Sequence, residues 1–137
     1  MLLTSVRERL PSGYVAFVGT TRNLDDPGIN GAEIVVAPGQ DQFDIIRLAA
    51  TDAVNHDKTT DQIIEELKQW DAEFGIAIWQ AETDTVQLTL KSLPKDLPAF
   101  SQRLYAFCPD VVDQGVGDVE ALQAAIEQEG TIYLWWD

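Results

Sequence analysis

The segment that most constrains the fold is the last one, Ile132-Tyr133-Leu134-Trp135-Trp136-Asp137. Chain ends are usually loose unless tied down, and two adjacent indoles carry too much apolar area to leave in water. These residues are therefore expected to form a strand paired into a sheet. Successive side chains of a strand point to opposite faces. Ile132, Leu134 and Trp136 then face one way, and Tyr133, Trp135 and Asp137 the other. Bulk on both faces predicts a central strand, covered at least in part on both sides.

The rest of the chain supplies the partners of such a strand. Thr59 to Phe74 is the clearest helix. Thr59 and Gln62 have capping-box spacing, Ile63, Leu67, Trp70 and Phe74 recur on one face, and Gly75 stops it. Ile76–Ala81 and Val86–Leu90 read as a hairpin around the turn Glu82–Asp84. Asp96 with Pro98 starts a second helix whose inward face is Leu97, Phe100, Leu104 and Phe107, and Pro109 ends it. Asp118 caps a third helix, with Val119, Leu122 and Ile126 inward and Gly130 as its stop. Upstream, Ser5 and Glu8 have the spacing of a capping box for a short helix, Ser5 to Leu10, with Leu3, Val6 and Leu10 on one stripe. Tyr14–Thr20 and Ala32–Val36 read as strands, joined by a polar loop, Thr21 to Gly31, with turn chemistry at Asp26-Pro27-Gly28 and Asn30-Gly31. Phe43 to Ala50 fits either class. Asp41 as a cap and the Leu-Ala-Ala tail suit a helix, but β-branched Ile45-Ile46 and the short run select a strand.

From residue 43 the order is then strand, helix, hairpin, helix pair, strand, a β-α-β-β-α-β (ferredoxin-like) core. The expected fold class is α+β: one domain over residues 1–137, a mixed or antiparallel sheet with helices packed on it, and an N-terminal strand pair extending one edge. At 137 residues a chain buries roughly 68% of its unfolded surface, enough for a core without staples.

The net charge of −14 is the one bulk outlier. Such a surface repels phosphates and anionic lipid, which argues against nucleic acid and membrane partners. The acidic residues are spread along the chain. They serve solubility or present an acidic face to a basic protein partner. The single Cys excludes an intramolecular disulfide and suits a reducing compartment. Met1-Leu2-Leu3-Thr4 lacks the basic and apolar regions of a signal peptide, and no apolar stretch approaches the ~18 residues that span a bilayer. A cytoplasmic location is the expectation.

Candidate chemistry is sparse. Cys108 is the only possible thiol nucleophile, and His56 its only possible imidazole partner. Cys108 follows the last turn of a helix, whose dipole end raises a thiol pKa, so a buried cysteine is expected. Asp110 and Asp113, spaced i, i+3 beside Gln114, could hold Mg²⁺ or act as an acid–base pair, yet Asp110 after Pro109 fits better as a turn or cap. His56 has no His, Cys or Glu at ligand spacing and is expected in a solvated loop. Gly115-Val116-Gly117 lacks a phosphate-loop pattern, and Asp118 stands where an anion would bind. No metal or other cofactor is implied.

Phe107-Cys108-Pro109-Asp110, Asp113-Gln114-Gly115 and Leu134-Trp135-Trp136-Asp137 together resemble the bacterial family called domain of unknown function 4253. The run Thr51 to Asn55 and the segment Trp70 to Gly75 are also similar to it. The resemblance covers about residues 33 to 137. It implies a bacterial, cytoplasmic protein and points to Asp110, Gln114, Trp135, Trp136 and Asp137 as a candidate shared cluster. It supplies no catalytic residues. Two readings of function stay open. One is a non-catalytic acidic interaction module, immunity- or regulator-like. The other is a small-ligand- or metal-binding enzyme in which Asp110, Asp113, Gln114, His56 and Asp137 converge beside Trp135.

Overall fold

The computed structural model describes residues 2–19, 33–53 and 56–136. In chain order these form α1 (Leu2–Glu8), β1 (Tyr14–Val18), β2 (Ile34–Pro38), α2 (Phe43–Ala49), α3 (Thr60–Phe74), β3 (Ile76–Ala81), β4 (Thr85–Leu90), α4 (Leu97–Phe107), a π-helical turn (Val112–Val116), α5 (Val119–Glu129) and β5 (Thr131–Trp135). The five strands make one mixed sheet in the order β2-β1-β3-β4-β5. Only β1 and β3 run parallel. The class is α+β, as the sequence predicts. Turn residues Asp26-Pro27-Gly28 and Asn30-Gly31 and the start of the second predicted strand lie outside the described residues.

The sheet separates two apolar clusters. Phe17 of β1 joins the main core with Ile45, Ile63, Leu67, Trp70, Leu104 and Ile126 from α2 to α5. Its neighbours Ala16 and Val18 belong to a smaller cluster with Leu3 of α1. Alternation along one strand thus serves both faces. Local signals fix the helix ends. The Thr59 Oγ1 accepts from the Gln62 N–H at 3.2 Å, and the Gln62 Oε1 accepts from the Thr59 N–H at 2.9 Å, which satisfies two otherwise orphaned donors. Asp96 and Asp118 cap α4 and α5 through the N–H groups of Ala99 and Ala121.

Three local expectations are corrected. Phe43–Ala49 is helix α2, not a strand. Ile45 and Ile46 are both buried while Arg47 and Leu48 are both exposed, which strand alternation cannot supply and a helix seated on a sheet can. The Asp41 Oδ1 also accepts from the Phe43 N–H at 2.9 Å and turns the chain into that helix. The strand that precedes the helices in the chain is therefore β2, which β1 separates from β3 in the sheet, and the parallel pair is the adjacent β1 and β3. Next, α1 begins at Leu2, so Ser5 lies inside it and caps nothing. Finally, β5 is an edge strand, not a central one. The bulk on its outer face is accommodated within the strand: the Tyr133 and Trp135 rings lie 5.1 Å apart.

Two irregularities shape the middle of the sheet. A bulge in β3 sets Ile78 opposite Leu88 and Gln80 opposite Gln87. The extra residue turns Gln80 to the outer face, where its Oε1 accepts from Gln87 at 3.2 Å and its amide donates to the Gly19 carbonyl at 2.9 Å; without the bulge it would point into the core. Toward its start, β3 diverges from β1, and side chains replace the missing ladder. Gln42 donates to the Ile76 carbonyl at 3.0 Å and accepts from the Ile78 N–H at 2.8 Å. Arg7 bridges the gap by donating to the carbonyls of Ala16 and Ile78 at 2.9 and 2.8 Å.

Candidate functional site

The end of α4, the π-helical turn, the His56–Lys58 segment and β5 meet in one place. Pro109 ends α4, and its carbonyl accepts from the N–H groups of both Val112 and Asp113. The turn therefore has its own backbone bonds and needs no side-chain cap. The Asp110 carboxylate is buried, at 6% relative exposure. Its Oδ1 accepts from Gln114 Nε2 at 2.9 Å, and its Oδ2 lies 3.3 Å from His56 Nε2. The wider π-helical turn, closed by the Gly117 N–H on the Val112 carbonyl at 2.9 Å, places Gln114 one turn above Asp110.

Asp113 bonds outside this group. It is exposed and accepts from the Tyr105 hydroxyl at 2.7 Å, and that bond raises the phenol pKa. Trp135 contributes its backbone instead: the Cys108 S–H donates to the Trp135 carbonyl at 2.9 Å. Burial, the largest cause, pushes the Cys108 thiol up to about 12. The Trp135 ring lies over Gly115, where a Cβ would stand 2.8 Å from Cη2. The neighbouring Trp136 indole donates to the Phe107 carbonyl at 3.2 Å, with its ring edge-to-face on Phe107 at 5.5 Å. Asp137 lies outside the described residues.

The three sequence motifs thus close on one another. Phe107 and Cys108 hold Trp136 and Trp135, Gly115 receives the Trp135 ring, and Gln114 holds Asp110. Of the predicted cluster, the structure brings together His56, Asp110 and Gln114. It places Trp135 beside them through Cys108, and directs Asp113 to Tyr105.

A cleft of about 310 Å³ opens at this seam, lined by His56, Asp57, Lys58, Gln62, Glu66 and Phe107. The Lys58 Nζ sits 5.8 Å over the Phe107 ring. The Glu66 Oε1 accepts from the Trp70 indole at 2.9 Å and from Arg103 Nε at 3.0 Å. Sequence reading missed Lys58, Glu66 and Arg103. The i, i+4 spacing of Glu66 and Trp70 on a predicted helix was a usable signal; nothing in the chain links Arg103 to Glu66 before the helices pack. Chemically, a carboxylate beside an imidazole at a cleft wall has the makings of an acid–base pair. Among the described residues no group of three His, Cys, Asp or Glu side chains could hold a metal ion, and no helix is long and apolar enough to cross a membrane.

No curated protein and no solved structure is significantly similar to the chain. A family model does match, over residues 33–137, and its span takes in every element of the seam just described, from His56 to β5. The chain belongs to that family, the domain of unknown function DUF4253.

Proposed function

We propose that this protein is a non-catalytic acidic interaction module, immunity- or regulator-like, which works in the bacterial cytoplasm and docks a basic protein partner. One observation carries the reading: the distribution of charge over the C-terminal elements. After Arg103 the chain holds Asp110, Asp113, Asp118, Glu120, Glu127, Glu129 and Asp137 and no Lys or Arg. These seven carboxylates, half of the chain's net charge of −14, have no basic side chain among them in sequence. Some of the motif residues support the same reading, because they bond to one another: Cys108 to Trp135 and Gln114 to Asp110. A field of this kind speeds encounter with a cationic partner and disfavours nucleic acid. The test is association with a basic partner captured from bacterial lysate and measured at two salt concentrations. The on-rate is expected to fall steeply as salt rises. A complex indifferent to salt sinks the reading.

A second reading has its own observation, the cleft of about 310 Å³ beside the His56–Asp110 pair. Here the protein binds a small polar ligand, and His56 with Asp110 acts on it. A thermal-shift screen with divalent metals, nucleotides and common metabolites tests this. A ligand at about 100 times its Kd adds about 2.7 kcal/mol, and the shift should vanish in Asp110→Ala.

A further inference from the structure

A second cavity, smaller and apolar, lies between α5, the π-helical turn and β5. It measures about 150 Å³, and Val111, Val116, Leu122, Ala125, Ile126 and Trp135 supply most of its wall. We infer that this groove receives one bulky apolar side chain from a lysine- or arginine-rich segment of a partner protein. The inference rests on the interaction reading above and gives that partner its docking place.

Size, placement and charge point the same way. The volume is about that of an engineered cavity that accepts a benzene ring, so it suits a single aromatic or branched side chain. The groove reaches the surface where Val116 and Tyr133 are 41% and 45% exposed, a high exposure for large apolar groups. It adjoins the edge strand of the sheet; among the described residues no strand pairs with the far side of β5.

Among the described residues the one charged side chain in the wall is Glu129, and the same elements with the α5 cap carry Asp113, Asp118, Glu120 and Glu127 with no basic residue among them. An apolar anchor inside a charged rim is how interfaces concentrate affinity. The rim selects cations. A second copy of this chain would set these carboxylates against their own kind, and phosphate-bearing partners meet the same repulsion.

The test uses the full-length, ¹⁵N-labelled protein and two synthetic peptides at low salt, Lys-Lys-Phe-Lys-Lys and the same sequence with Gly in place of Phe. The Phe peptide is expected to shift the amides of Val116, Ala125 and Trp135 and to bind about tenfold more tightly than the Gly peptide, the worth of one buried aromatic ring. Ala125→Trp fills the groove from α5 and should erase that preference. Val116→Asp, at an exposed site with little risk to folding, should shrink it as well. Glu127→Lys with Glu129→Lys should weaken both peptides alike.

Equal binding of the two peptides, with shifts spread over the acidic surface, overturns the groove and leaves the charge-driven reading standing. Failure of both peptides at low salt overturns both. Shifts at the groove that depend on protein concentration without peptide assign it to a second copy and overturn the inference.

Discussion

Two aromatic regions meet along β5 and are built differently. Behind the sheet, Trp70, Phe74, Phe100, Phe107 and Trp136 form a chain of edge-to-face contacts with centroids 5.0 to 5.6 Å apart. All five rings are buried, and both indole N–H groups have acceptors, Glu66 for Trp70 and the Phe107 carbonyl for Trp136. On the outer side, Tyr133 and Trp135 lean on each other at 48°, Tyr133 exposed and Trp135 partly buried, with Gly115 beneath the indole. Trp135 and Trp136 are adjacent in sequence, yet one belongs to each region. Residue type does not decide whether an aromatic is keystone or surface; the pleat does.

The comparison can be broken in order of expected effect. Trp136→Ala should destabilise the protein by about 3–5 kcal/mol through cavity formation. Trp135→Ala should cost less, since its ring is only partly buried. Equal costs in chemical denaturation would erase the distinction. Gly115→Ala comes next, at about 1–3 kcal/mol, because the new methyl must displace the Trp135 ring. In a Trp135→Ala background the same change should be nearly silent, so a double-mutant cycle isolates the contact.

Cys108 gives a pH signature of the buried side. Its thiol rises from an ordinary 9.0 to about 12 in the folded protein. The unfolded chain therefore releases the proton first, and stability falls as pH rises through the interval between those two values. Alkaline melting curves of wild type and Cys108→Ala should diverge there, with the wild type losing more. The smallest effect belongs to the exposed rim. Arg103 holds the Glu73 carboxyl below its ordinary range, through bonds of 3.1 and 2.7 Å. This stabilises the fold above the unfolded pKa of Glu73 and is lost as pH falls. Glu73→Gln should cost no more than about 1 kcal/mol, as surface pairs do.

Much of the fold was legible because its signals are local. The Thr59–Gln62 box, the Asp96 and Asp118 caps and the stops at Gly75 and Gly130 act within one turn of chain, and the structure places each where the spacing does. Phe43–Ala49 was misread because its identity depends on what lies beneath it. Ile45-Ile46 prefers a strand in isolation, and seating both on the core makes it a helix. The edge position of β5 was illegible for a related reason. Bulk on two faces says that both are occupied, not by what; the outer face is occupied by the strand's own neighbouring ring.

The candidate site divides the same way. The sequence by itself determined the α+β class, the buried Cys108, the acidic charge and the motifs that mark the family. It also named His56, Asp110 and Gln114 and offered their convergence as one of two readings, with Asp113 wrongly included. Only the tertiary structure decided that Asp110 turns to His56 across 54 residues, that Asp113 goes to Tyr105, and that Glu66 and Arg103 join a cleft. Local bonds are fixed by spacing along the chain. The approach of a side chain to a distant partner is fixed by how helices and strands pack, and that packing is a property of the whole core.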